Sequence, residues 1–251
     1  MKNITHSMLI TGASSGIGAA VARELAHQGW NLALSARRAE ELEALAKEIR
    51  QQHPELKISV HVHDVVDYAA SDNLIQAAAQ ALGGLGAVFI NAGIGLGGRI
   101  GGKSFDKTRR TIETNLLGAM AMTDAAVRFF RTQGGGHVVG TCSVAAFGSF
   151  PGNVAYSASK AGLSMYLEGL RAEGWREGIR VTILYPGFVR TPIVDGVAHT
   201  PFAIEADKAA KLIVHAIEKQ APRAIIPRFP WVLARWFLPL IPVRLMARLG
   251  L

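Results

Sequence analysis

At 251 residues and 49% apolar content the chain can bury a substantial core as one large domain, and its single cysteine, Cys142, excludes an internal disulfide. The formal net charge of +8 suggests an acidic partner, yet Arg223, Arg228, Arg235, Arg244 and Arg248 carry +5 of it in a stretch with no acidic residue after Glu218. The body is close to neutral, the basic residues and aromatics coincide only in an apolar tail, and no nucleic-acid partner is expected.

The start, Met1-Lys2-Asn3-Ile4-Thr5-His6-Ser7, lacks the apolar stretch of a signal peptide, so a reducing cytoplasm is the expected location. Short apolar runs rich in β-branched residues predict strands at 8–11, 31–36, 58–63, 87–90, 137–141, 180–185 and 224–226. Helical periodicity covers 16–28, 38–52, 69–82, 107–131, 154–176 and 205–219. This alternation predicts a single α/β domain: a Rossmann-like, doubly wound parallel sheet of about seven strands with helices on both faces.

The first strand leads into Thr11-Gly12-Ala13-Ser14-Ser15-Gly16-Ile17-Gly18, which opens the first helix. There backbone amides and the helix dipole can hold a pyrophosphate, and glycines let it approach the chain. At the end of strand two an acidic residue would bind the ribose 2′-hydroxyl of NAD, but Ala36 stands there, followed by Arg37 and Arg38. Without a repelling carboxylate and with guanidinium groups for a 2′-phosphate, the expected cofactor is NADP(H), the preference resting mainly on Arg37. The alternative is that both arginines start a solvated helix, pairing with Glu40 and Glu41. On strand three, His61 and His63 alternate with valine, but no further ligands at metal-binding spacing accompany them, and no metal is expected.

Strand four is followed by Asn91-Ala92-Gly93 and by 95–102, a stretch with five glycines placed outside the carboxyl ends of the strands, where ligands bind in such sheets. Strand five precedes Cys142, read as a small buried filler, and Ser143. Thirteen residues on, Tyr156 and Lys160 stand four apart on one helix face, where the ammonium is expected to lower the phenol pKa from its usual value of about 10. Tyr156 could then exchange a proton with a carbonyl or alcohol oxygen, with Ser143 donating a hydrogen bond to the same atom.

These motifs, in this order, resemble the short-chain dehydrogenase/reductase family over residues 8–227: the glycine turn, Asp64 with Val65, Asn91-Ala92-Gly93, Asn115, Ser143, Tyr156 with Lys160, and Pro186-Gly187 with Thr191. The resemblance implies a nicotinamide-dependent oxidoreductase acting on a small-molecule carbonyl or alcohol as a homodimer or homotetramer. It implies that Asp64 contacts adenine, that Asn91 and Gly93 flank the adenosine, that Thr191 holds the carboxamide and that Lys160 also holds the nicotinamide ribose. Asn115 would position a water linking Lys160 to solvent. The loop after Pro186, with Phe188, Ile193, Val194, Val197 and Phe202, would close over the substrate and mildly favours an apolar one. A non-catalytic NADP-binding sensor or scaffold is the alternative, against which both Tyr156 and Lys160 are kept.

Residues 1–227 form the expected catalytic domain and 228–251 a basic, apolar extension. Its longest charge-free run, 236–243, is eight residues, is interrupted by Pro239 and Pro242, and is far short of the ~20 needed to span a membrane. Two readings stay open. The extension packs on the protein or at a subunit contact, or it makes a peripheral membrane contact with arginines toward headgroups and Trp231, Trp236 and Phe237 inserted.

Overall fold

The computed structural model describes residues 6–195, 197 and 200–247. The first five residues, on which part of the leader expectation rests, and Arg248 to Leu251 of the extension lie outside the described residues. The strands are β1 (Ser7–Thr11), β2 (Asn31–Ala36), β3 (Ile58–Val62), β4 (Ala87–Ile90), β5 (Gly136–Thr141), β6 (Ile179–Pro186), β7 (Val189–Arg190), β8 (Ile204–Glu205) and β9 (Arg223–Ile226). Seven of them form one sheet in the order β3-β2-β1-β4-β5-β6-β9, every pairing parallel. The short strands β7 and β8 pair separately.

Helices cover both faces, which is why β1, β4 and β5 are buried along their whole length and read as continuous apolar runs. Helices α1 (Gly16–His27) and α2 (Ala39–Gln52) lie on one face, and α3 (Ser71–Leu82) on the other. After α4 (Phe105–Ile112), α5 (Ala119–Gln133) and α6 (Val154–Glu173) join α3, and α7 (Ala206–Glu218) joins α1. Alternation along β1 divides the core: Met8 and Ile10 pack with Leu25, Leu42 and Ile213, whereas Leu9 packs with Ile75, Met122 and Leu167. Each such side chain contributes about 1.5–3 kcal/mol by leaving water.

One close approach positions the site. A Cβ on Gly140 would lie 2.2 Å from Leu167 Cδ1, so glycine in β5 lets α6 settle on the sheet and carries Tyr156 and Lys160 over the end of β5. The strand order reverses between β1 and β4, and the crevice beyond their carboxyl ends is where an open sheet of this kind takes its ligand.

The helix predicted over 107–131 is interrupted by a π-helical turn at Glu113–Gly118 between α4 and α5. The helix predicted to reach 176 ends as α6 at Glu173. Gly174, against which Ile179 lies too close for a side chain, starts a 3-10 turn there. Beyond β9 the chain forms α8 (Trp231–Phe237), a 3-10 turn at Leu238–Leu240 and α9 (Val243–Met246), with α8 lying against β9 and the turn Val144–Ala146. Among the described residues no helix is long and apolar enough to cross a membrane.

Candidate active site

The glycine turn is shaped by close backbone contacts. Gly12 and Gly16 take positive φ (69° and 58°), and a Cβ on Gly18 would lie 2.3 Å from the Gly12 carbonyl oxygen. Ser15 occupies the N-cap of α1 without a side-chain capping bond, and Ile17 packs at the edge of the core. A helix start without a capping side chain, preceded by a turn held close by Gly12, Gly16 and Gly18, is a cradle fit for a pyrophosphate. Next to it the ends of three strands are stitched together. Thr11 Oγ1 accepts from the amides of Asn91 (3.0 Å) and Ala92 (3.2 Å), and Asn91 Nδ2 donates to the Thr11 carbonyl (3.2 Å). Thr141 Oγ1 donates to Asn91 Oδ1 at 3.3 Å. Asn91 therefore fixes the crevice floor through β1, β4 and β5.

The two arginines after β2 take different partners. Arg38 stands at the N-cap of α2, and its guanidinium reaches back to donate to Ser14 Oγ (2.9 Å) and Ser15 Oγ (2.7 Å), while also lying 3.4 Å from Glu41. Arg37 points to Asp64, 3.7 Å from Oδ2. The Asp64 carboxylate also accepts from the Val66 amide at 3.2 Å, and the Val65 carbonyl lies so close to Gly118 that a Cβ there would approach to 2.7 Å. It is Arg38, given the lesser weight from sequence, that reaches the glycine turn.

Ser143, Tyr156 and Lys160 converge at the end of β5. Ser143 is extended at the start of a 3-10 turn, where Ala145 donates to its Oγ (3.1 Å) and its own hydroxyl has a weak bond to the Pro186 carbonyl (3.4 Å). Lys160 is buried, donates to the Thr141 carbonyl at 2.8 Å and lies 5.7 Å from the Tyr156 ring centre. Burial pushes the Lys160 ammonium down to about 8. The expected lowering of the Tyr156 pKa by Lys160 is not borne out: burial raises it above the ordinary phenol value, opposed only by the polar contact with Ser143. The physical reason is desolvation, which penalises a phenolate packed among protein atoms more than this neighbourhood stabilises it.

Asn115 sits fully buried in the π-helical turn. Its Oδ1 accepts from the Ile94 amide (2.8 Å), and its Nδ2 donates to the Ile94 carbonyl (2.8 Å) and to Ser159 Oγ (3.3 Å). Gly93 brings Asn115 and Lys160 together, since a Cβ on it would lie 3.3 Å from Asn115 Oδ1 and 3.5 Å from Lys160 Nζ.

The other wall follows β6. Gly187 donates its amide to the Ile226 carbonyl (2.8 Å), and Thr191 lies against Gly16, joining the loop after β6 to the glycine turn. Ile193 meets Gly95 of the glycine-rich loop across the cleft. Trp231 covers Gly187, on which a Cβ would lie 2.2 Å from the indole nitrogen, and its ring meets Phe188 (5.8 Å) and Phe202 (6.2 Å) edge-on. Leu238 packs on Gly148, in the loop that follows Ser143. Sequence reasoning missed Thr141, Ser159 and Ile94, which act through main chain or as partners. It left the inward role of Trp231 open, although Trp231, Ala234 and Leu238 recur at helical spacing.

Cys142 is buried with its thiol pushed up to about 12, as suits a filler beside Ser143. His61 Nε2 is 3.0 Å from Ser59 Oγ, and burial lowers the pKa of both His61 and His63. Among the described residues no group of three histidine, cysteine, aspartate or glutamate side chains is arranged to hold a metal ion.

The family model described as short chain dehydrogenase matches residues 6–201. An uncharacterized oxidoreductase of Mycobacterium tuberculosis is 40% identical over 238 residues, covering 93% of this chain and 94% of the relative. A short-chain dehydrogenase from Sphingobium yanoikuyae solved in complex with NADPH superposes with a TM-score of 0.82 at 29% identity, covering 92% of this chain and 90% of that one. For a short chain dehydrogenase/reductase from Burkholderia phymatum in complex with NAD the TM-score is 0.84 over 96% of each chain, at 24% identity, a likeness of fold alone.

Proposed function

The chain belongs to the short-chain dehydrogenase/reductase family of oxidoreductases, and from that premise we propose that it is an NADP(H)-dependent enzyme interconverting a hydrophobic ketone or aldehyde and its alcohol. The observation that carries the reading is the convergence of Ser143, Tyr156 and Lys160 at the end of β5, across the cleft from a glycine turn at the start of α1.

The residues assigned to holding the cofactor are Gly12, Ser14, Ser15, Gly16, Ile17 and Gly18 for the pyrophosphate and Arg37 and Arg38 for a 2′-phosphate. Asp64, Val65, Asn91, Ala92 and Gly93 take the adenosine side, and Tyr156, Lys160, Pro186, Gly187 and Thr191 the nicotinamide side. A bound nicotinamide supplies or accepts the hydride. Tyr156, kept protonated by burial, donates its phenolic proton to the carbonyl oxygen during reduction and takes it back in oxidation. Ser143 donates a hydrogen bond to the same oxygen. Lys160, charged below a pH of about 8, returns the proton to Tyr156. Asn115 works through Ile94, whose amide and carbonyl it holds beside Lys160, so the relay to solvent is organised by that backbone.

Preference for NADP(H) is supported by Ala36 in place of a carboxylate and by Arg38 on Ser14 and Ser15. The Sphingobium relative is solved with NADPH and the Burkholderia relative with NAD, so the preference rests on this chain's own residues. Charge-assisted hydrogen bonds are each worth about 1.5–3 kcal/mol, so Arg38→Ala should lower kcat/KM for NADPH by roughly 10- to 100-fold while leaving the NADH value within about twofold. Steady-state kinetics with both cofactors tests this, and a wild-type preference for NADH would reject it. Exposed Leu117 and Met165, on neighbouring helical segments, support a homodimer or homotetramer. Residues 1–227 are proposed as the catalytic domain and 228–251 as an extension whose inner face completes the substrate wall. Cytoplasmic placement is part of the same proposal, supported by a lone cysteine that is free and buried.

A further inference from the structure

We propose that the outward face of the C-terminal extension docks the protein on an anionic phospholipid bilayer, with the mouth of the substrate cleft turned toward the lipid. The proposal deepens the reductase reading and rests on it for the cleft, but not for the docking surface.

Helix α8 is apolar on two sides. Trp231, Ala234 and Leu238 recur at i, i+3 and i+7, and Trp231 and Leu238 pack inward on Gly187 and Gly148. A second stripe, Leu233, Trp236, Phe237 and Leu240, recurs at i, i+3, i+4 and i+7 and continues into the 3-10 turn. Among the described residues nothing covers it: Trp236 is 67%, Phe237 59% and Leu240 74% exposed, and Val243 of α9 is 83% exposed. A soluble surface helix ordinarily presents polar residues on its outer face. Here the polar positions around the stripe are Arg228, Arg235 and Arg244, all exposed, and among the described residues none of the three forms an ion pair. Arg235 lies over the Trp236 ring at 5.7 Å.

Charge decides between occupants. A second copy joined by a two-fold axis through this face would set these arginines against the same arginines, with no acidic residue of the extension to pair them. An anionic headgroup layer pairs them all, while aromatic and leucine side chains enter the acyl boundary. The apolar surface also runs to the cleft. Trp231 joins the extension to Phe202, itself 64% exposed, and the loop after β6 continues to Ile193 against Gly95.

The test is co-sedimentation of the full chain with phosphatidylglycerol/phosphatidylcholine vesicles and with pure phosphatidylcholine vesicles. Wild type should sediment with the anionic vesicles at least tenfold more strongly than with the neutral ones. The triple variant Trp236→Ser, Phe237→Ser, Leu240→Ser should lose at least tenfold of that binding, with an unchanged circular dichroism spectrum and unchanged turnover of a short water-soluble aldehyde. On a long-chain aldehyde carried in the vesicles its rate should fall severalfold. Wild type remaining in the supernatant, or equal sedimentation of the triple variant, would overturn the proposal. So would sedimentation velocity in which the stripe proves to be a subunit contact, seen as a smaller species for the triple variant without vesicle binding by wild type. Vesicle binding by a protein that fails to oxidise NADPH with any carbonyl offered would support the docking surface and reject the reductase reading, so the two fail separately.

Discussion

Tyr156 and Lys160 share a helix face, and the expectation from spacing is that the cation draws the phenol toward ionisation. Burial dominates at both residues: it raises the phenol and lowers the ammonium to about 8, so each is biased toward its neutral form. A protonated tyrosine is the form the proposed reduction needs, and in that proposal a lysine near the neutral range gives up its proton to replace the one Tyr156 would donate. The same effect acts without catalytic purpose on His137, buried in β5 with Nε2 2.9 Å from Thr182 Oγ1 and pushed down to about 4 by desolvation and by Arg180. Its folded pKa lies below the unfolded value of 6.5, so the unfolded chain takes the proton first as pH falls. Its stabilising share is therefore complete above pH 6.5 and is lost between about 6.5 and 4. Urea unfolding at pH 7 and 4.5 should show wild type losing roughly 2–3 kcal/mol more than His137→Gln, because other titrations are common to both. Equal losses would mean that folding leaves the histidine pKa unshifted.

At the scale of elements, the carboxyl end of the sheet was readable from sequence because chemistry there is written in local motifs. The glycine turn and the Tyr156/Lys160 pair occupy a strand end and the first two turns of α6, where spacing located them, whereas the residues after β4 took their role from the family resemblance. The π-helical turn at Glu113–Gly118 was not legible, since a single wider turn leaves the apolar periodicity of the flanking helices almost unchanged. Its purpose is visible only in the tertiary contact: it presents Asn115 to the backbone of Ile94, a segment with no regular structure of its own. The division of labour between Arg37 and Arg38 was hidden for the same reason, because adjacent residues after a strand diverge according to side-chain partners that sequence does not name. Asn115→Ala strips partners from the part-buried amide and carbonyl of Ile94, at up to about 1–3 kcal/mol for each group left unsatisfied. Thermal unfolding should fall by several degrees, and kcat should drop more than KM rises; an unchanged kcat would remove Asn115 from the positioning of Lys160.

For the whole molecule, the parallel sheet between two helical layers followed from the alternation of apolar runs and helical periods, and its strand order puts the crevice between β1 and β4. What composition could not decide was the extension, whose basic and aromatic residues fit a packed lid and a lipid contact equally well. The structure divides the segment, with Trp231 and Leu238 facing the cleft walls and Trp236, Phe237 and Leu240 facing out. Phe188 and Trp231 beside the Ser143 loop, with exposed Phe202 at the rim, are the physical basis for proposing a hydrophobic substrate. The most direct test is NADPH oxidation by wild type and Tyr156→Phe with a series of aldehydes and ketones of increasing chain length. Wild type should turn over, with kcat/KM rising with chain length, while Tyr156→Phe should lose at least about a thousandfold of kcat and bind NADPH within about twofold of wild type. Turnover retained in Tyr156→Phe, or no oxidation of NADPH by wild type across the series, would contradict the account.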